Sequence, residues 1–286
     1  SLDDVKSGEL LFHTAKDGAY ETAPVLASDV HVEIAGIVAR SRVTQIFGNP
    51  TDHWMEAVYV FPLAENAAVD GLHMVIGERV VEGRIAETGE AKKVYEQAKQ
   101  EGKKAAFVEQ QRPNLFTAAV ANIGPGEEVE IVLDLQQVVA VANGRFSLRF
   151  PMVALPRYQP AGAVDGALLE APVRAAGKRL VNPFVFHVDL YPGVPLGKVE
   201  SASHAVQVSH VAGTTGPRYT VDLARGAASA DRDFLLEWEP AAGLVPRAAL
   251  YTQKVAGERY LLLMVVPPSP DRTTPGKRGK PELPEM

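Results

Sequence analysis

The sequence predicts a mainly β protein of two β-sandwich-like units, on three observations. Apolar and polar residues alternate at period two in several segments, as Val30, Val32 and Ile34 do against His31 and Glu33. Turn residues separate these segments at short intervals, and Asn143-Gly144 is the strongest hairpin signal among them. Only one stretch, at about 89–101, changes to the i, i+3, i+4, i+7 spacing of an amphipathic helix.

In chain order, Val43, Gln45 and Phe47 alternate with Arg42, Thr44 and Ile46, which predicts a strand with one face on a core. Asn49-Pro50-Thr51-Asp52 is a turn cluster, so 42–47 and 56–61 are expected to pair as an antiparallel hairpin. Gly77-Glu78-Arg79 predicts a second hairpin, between 72–76 and 80–85. The helix places Ala91, Val94, Tyr95 and Ala98 on one face and stops at Gly102. Its other face carries Lys92, Lys93 and Lys99, read as a solvated face in preference to a partner contact.

Val129, Ile131, Leu133 and Leu135 alternate with Glu130, Val132, Asp134 and Gln136, and Gly124-Pro125-Gly126 is expected to turn this strand back beside 116–121. Residues 141–182 read as a hairpin strand followed by a Pro/Gly-rich crossover. The second unit, 183–266, holds strand candidates at 184–190, 204–211, 218–223, 233–238 and 258–266, at the spacing of a sandwich. Tyr260 to Val266 is apolar throughout and reads as a buried strand. It falls short of the ~20 residues of a membrane helix. The tail 267–286 has six prolines, at 267, 268, 270, 275, 281 and 284, and reads as a linker.

Composition narrows the function classes. A formal charge of −6 argues against nucleic acid as a partner, which needs a concentrated basic face. Cysteine is absent, which removes disulfides, zinc–thiolate sites and thiol catalysis. Ser1 in place of Met, with no apolar signal region, is expected of a processed form or of a piece of a longer chain.

No nucleophile, base and orienting group stand in a recognisable pattern, so no catalytic residue is assigned. His187 and Asp189 lie on one face of one strand at a spacing that serves a metal, but no third ligand is identifiable. This leaves an envelope metal-binding protein or enzyme as an alternative, with no cofactor assigned. His204 and His210 share a strand face ~20 Å apart, too far for joint ligation. Trp54 follows a turn; core burial is the favoured reading over a partner contact. A carbohydrate-binding sandwich is a further alternative, and would need Trp54, Tyr158 and Trp238 exposed.

The segments 41–50, 56–63, Tyr95-Glu96-Gln97-Ala98, 109–116 and Ala121-Asn122-Ile123-Gly124-Pro125-Gly126-Glu127 together resemble the VIT domain of vault proteins and inter-alpha-trypsin inhibitor heavy chains, over roughly 9–140. The resemblance implies a non-catalytic interaction and scaffolding module. It also implies a downstream von Willebrand A domain, whose Asp-x-Ser-x-Ser loop this chain does not contain. The layout resembles the N-terminal part of bacterial sortase-target-type surface proteins, which implies an exported, periplasmic or cell-surface protein with an unidentified protein partner. On positions matching the module, Arg112, Pro113, Asn114, Phe116, Asn122 and Gly124 are the residues whose loss should disturb it most, for structural reasons.

Overall fold

The structure is a computed structural model that describes residues 8–14, 20–83, 106–112, 115–152, 183–212, 216–243 and 245–268. Every regular element among them is a strand. The predicted helix at 89–101 lies outside the described residues, as do Lys92, Lys93 and Lys99.

In chain order the strands are β1 (Glu9–His13), β2 (Tyr20–Thr22), β3 (Val25–Ala35), β4 (Val38–Gly48), β5 (Met55–Pro62), β6 (Ala67–Ile76), β7 (Arg79–Gly83), β8 (Ala106–Arg112), β9 (Leu115–Ile123) and β10 (Glu128–Val138). They continue as β11 (Ala140–Ala142), β12 (Arg145–Phe150), β13 (Pro183–Tyr191), β14 (Leu196–Glu200), β15 (Val206–His210), β16 (Tyr219–Leu223), β17 (Ala228–Ser229), β18 (Phe234–Pro240), β19 (Arg247–Val255) and β20 (Glu258–Val266). The main sheet has the order β15-β16-β13-β3-β4-β10-β6-β7, with β17 also on β13. A second sheet runs β2-β1-β5-β9-β8, a third runs β11-β12-β18-β14, and β19 and β20 form a two-stranded ribbon.

Strands from both predicted units share the main sheet. β13 lies parallel to β3, with His187 opposite His31 and Val188 opposite Val32. Core residues of both regions accordingly form one cluster, from Leu10 to Trp238. A chain of rings connects the three sheets: Tyr59 against Phe47 and Phe61, Phe61 against Phe150, Phe150 against Phe186, and Phe186 stacked on Phe234 at 4.0 Å. Such ring pairs add about 0.5–1.5 kcal/mol each beyond the area they bury.

The Asn143-Gly144 hairpin forms as the dipeptide predicts, with β11 on β12 and φ of 53° and 79° at the two turn residues. The hairpin at Gly77 forms as well, as β6 on β7.

Two predicted pairings do not occur. β4 pairs with β3 and β10, while β5 pairs with β1 and β9, so the 49–54 turn carries the chain between sheets. The 124–127 turn does the same, since β9 belongs to the second sheet and β10 to the main one. Alternation reveals that a segment has a buried face; two facing sheets of a sandwich present the same pattern, so the pattern does not choose the neighbour.

Asn49 ties the two crossovers together. Its Nδ2 donates to the carbonyls of His53 (3.0 Å), Ile123 (3.3 Å) and Gly124 (2.9 Å), and its Oδ1 accepts from the Thr51 amide and hydroxyl. Its backbone amide donates to the Glu127 carbonyl, and its own carbonyl accepts from the Gly126 amide. Gln45 is the corresponding polar anchor inside the sandwich. Its Oε1 accepts from the buried Tyr59 hydroxyl at 2.7 Å and its Nε2 donates to the Gly8 carbonyl.

Candidate functional site

The outward face of the main sheet carries a transverse polar row. Residues directly opposite across neighbouring strands point to the same side. The register sets Asp222 (β16), His187 (β13), His31 (β3), Arg42 (β4) and Asp134 (β10) in one line. Arg42 forks onto Asp134 with contacts of 2.8 and 3.1 Å, a bidentate pair in exposed surroundings.

Asp189, two residues along β13 from His187, is the buried member of this face, 8% exposed. Its Oδ2 lies 2.9 Å from His31 Nε2 and 3.5 Å from His187 Nε2, and its Oδ1 accepts from Arg218 Nη2 at 2.8 Å. Arg218 in turn lies over the Tyr191 ring at 5.3 Å. Burial by itself would raise the Asp189 carboxyl, but the hydrogen bonds from Arg218 and His31 and the charges of Arg218 and His187 hold it below the usual carboxylate range. His187 Nδ1 lies 2.7 Å from Asp222 Oδ1, and the His31 and His187 rings meet edge to face at 5.0 Å.

The sequence placed His187 and Asp189 on one strand face, and the structure agrees. What spacing alone missed is His31. It stands 158 residues before Asp189 and reaches it through the parallel β3–β13 pairing, which no local pattern announces. His31, His187 and Asp189 each offer one ligand atom, all within 4.8 Å of one another, the one such group among the described residues.

The other predicted positions divide. Phe116 is core. Gly124 donates its amide to Glu127 Oε2 at 2.7 Å, and a Cβ there would meet that side chain at 3.0 Å. Asn122 adopts φ of 60°, a left-handed conformation that asparagine tolerates better than most residues. Arg112 is described only as a strand residue opposite Leu115, and Pro113 and Asn114 lie outside the described residues. His204 packs between Phe184 and Phe234, whereas His210 is exposed beside Tyr219. Trp54 is 66% exposed, which overturns its reading as a core residue. Trp238 is 2% exposed and stacked on Phe146, so it cannot serve a sugar-stacking surface, and Tyr158 lies outside the described residues.

The expectation of a buried strand at 260–266 is corrected as well. Leu250, Leu261, Leu263 and Val265 share the outer face of the ribbon and are each at least 60% exposed. The inner face holds Ala249, Tyr251 and Met264, with the Tyr251 hydroxyl donating to the Tyr191 carbonyl at 2.9 Å. Burial pushes that hydroxyl's pKa up to about 12. Gly36 and Gly193 have φ of 61° and 71°; a Cβ on Gly36 would strike the Tyr251 ring, and one on Gly193 the Tyr251 hydroxyl and the Ala249 side chain. The sequence could not separate the two faces, because apolar residues fill both.

Comparison with known proteins matches one part of the chain to a family model. The sequence profile of the Vault protein inter-alpha-trypsin (VIT) domain matches residues 25–135. The mouse protein mono-ADP-ribosyltransferase PARP4 is 32% identical over 150 residues, 49% of this chain and 7% of that protein. Human von Willebrand factor A domain-containing protein 5A is 27% identical over 152 residues, 52% of this chain and 19% of that protein. The chain thus spans a small part of the length of the curated relatives it matches. A solved two-domain M1 zinc metallopeptidase aligns over 99% of this chain and 54% of its own, at 11% identity and a TM-score of 0.39, too low to establish a common fold. The strands β3 to β10, with the crossovers latched by Asn49, are where the profile match falls: residues 25–135 of this chain match the VIT domain.

Proposed function

We propose that this chain is a non-catalytic protein-interaction scaffold of an exported, cell-surface-type protein, and that it positions a von Willebrand A domain. The observation that carries the reading is the VIT match at 25–135, together with a relative named for its von Willebrand A domain. The exposed outer face of the β19–β20 ribbon supports it. A contiguous row of large aliphatic side chains in water is unfavourable unless a partner covers it, and such patches mark contact surfaces. The ribbon ends directly before the Pro-rich stretch 267–286, whose composition suits a stiff spacer. Trp54, exposed at the 49–54 crossover, offers a second anchor of the kind enriched at interfaces. Arg112, Pro113, Asn114, Phe116, Asn122 and Gly124 serve this scaffold by holding its shape.

The test starts from the natural reading frame beyond Met286. An Asp-x-Ser-x-Ser loop within ~40 residues, about two lengths of such a spacer, is the expected result. The longer product and residues 1–286 are then compared by hydroxyl-radical footprinting. Protection of Leu250, Leu261 and Leu263 only in the longer product supports the reading. A stop codon, or an unchanged footprint in the presence of that domain, overturns it.

A further inference from the structure

We propose that His31, His187 and Asp189 form a surface site for one divalent transition-metal ion of the zinc class, held across the parallel β3–β13 pair. The geometry is that of a three-ligand face. Asp189 Oδ2 lies 2.9 Å from His31 Nε2 and 3.5 Å from His187 Nε2. Ligand atoms ~2.0–2.1 Å from a tetrahedral zinc stand roughly 3.3 Å apart; the two contacts to Asp189 bracket that spacing, and all three atoms lie within 4.8 Å of one another, so rotation of the two imidazoles brings them onto a common ion.

The groups around His187 and Asp189 are arranged as a metal site requires, and at His31 the ion would take the place of the Nε2 proton now shared with Asp189. His187 must present Nε2 with its lone pair free, and this needs the proton on Nδ1. Asp222, 2.7 Å from Nδ1, accepts that proton's hydrogen bond and selects the tautomer. Asp189 must offer one oxygen and keep the other satisfied, and Arg218 holds the second at 2.8 Å. Two imidazoles and one carboxylate suit Zn²⁺, Ni²⁺ or Cu²⁺, whereas Ca²⁺ and Mg²⁺ prefer all-oxygen shells.

Exposure sets the character of the site. The side chains of His31 and His187 are 51% and 34% exposed, so the fourth coordination position faces solvent and is open to water or to a carboxylate from outside. Because the ligands come from β3 and β13, 158 residues apart in sequence, a bound ion would cross-link the VIT strands to the strands that follow them. Binding only the folded chain, it would also raise stability as metal concentration rises above its dissociation constant.

The experiment uses the full chain without an affinity tag, stripped with chelator. Isothermal titration with Zn²⁺ and visible spectroscopy with Co²⁺ read stoichiometry and ligand field. The expected result is one equivalent, bound at micromolar affinity or tighter, and weakened about tenfold or more by His31→Ala and by His187→Ala. His73→Ala, on the same sheet face at β6, should leave binding unchanged. Each histidine also supports the buried Asp189 carboxylate, so the metal-free His31→Ala and His187→Ala variants should melt somewhat below the parent while staying folded, and the readout is metal binding on the folded chain. Absence of a stoichiometric site in the parent chain overturns the proposal, and so does binding that survives both histidine substitutions or falls equally with His73→Ala.

Discussion

Replacing Asn49 with alanine should destabilise the chain by about 3 kcal/mol, taking roughly 1 kcal/mol for each of the three best of its side-chain hydrogen bonds. Those three are the contact with Gly124 O at 2.9 Å, the one with His53 O at 3.0 Å and the Thr51 hydroxyl at 2.8 Å. The desolvation surcharge is partial, because the Gly124 carbonyl keeps the Glu127 amide as a partner. Asn49→Asp is the sharper test. It preserves shape but turns an amide donor, 2% exposed and facing three carbonyl oxygens, into a carboxylate.

That carboxyl should titrate above the usual carboxylate range, since only its neutral form can donate to the carbonyls. A raised folded-state pKa means that the aspartate variant is closest to the parent in acid and loses stability as pH rises through that value. Urea unfolding followed by tryptophan fluorescence, using buried Trp238 as reporter, measures both variants. A loss below about 1 kcal/mol for alanine, or an aspartate variant equal to the parent at pH 7, would refute the latch.

Further outcomes follow from the same packing. Tyr59→Phe should cost about 1–2 kcal/mol in urea unfolding, because it leaves the buried Gln45 Oε1 without its donor. Phe186→Ala should cost about 3–5 kcal/mol by the same assay, since its ring stacks on Phe234 and meets Phe150 and Phe184. Burial and the charge of Arg232 lower the His204 pKa, with Asp231 opposing them. The unfolded chain therefore takes up the proton first as pH falls below about 6.5. Melting temperature should drop from there down to the folded pKa, and His204→Gln should show a smaller drop. Leu261→Ser with Leu263→Ser should change stability by less than about 0.5 kcal/mol per site while raising solubility, since both face water; a loss of several kcal/mol would place them in a core.

Local chemistry made some of this structure legible before any coordinates. Asn143-Gly144 forms its hairpin because two successive positive φ values are affordable only for such residues, and no distant contact is needed to decide it. His187 and Asp189 share a face because the strand period is two. The inward set Val30, Val32 and Ile34 was readable for the same reason, and so was the outward placement of His31.

Where pairing partners had to be chosen, the sequence was silent or misleading. The turns at 49–54 and 124–127 read as hairpins but lead from one sheet to another, and the side chain that holds them there, Asn49, bonds across 75 residues of chain. The exposure of Trp54 and of the ribbon's outer face was equally hidden, because hydrophobicity states what a residue avoids and not whether a layer exists to cover it.

By itself, the sequence determined that the chain is β-rich, where its backbone turns, and that its N-terminal half resembles the VIT domain, which the family model matches at 25–135. Periodicity, turn chemistry and family motifs are all written within short stretches. Only the tertiary structure decided that β13 lies beside β3, and so that His31 meets His187 and Asp189. Strand pairing is a contest among many similar edges, settled by the packing of the whole core around Phe150, Phe186 and Phe234; no short window of residues contains that outcome.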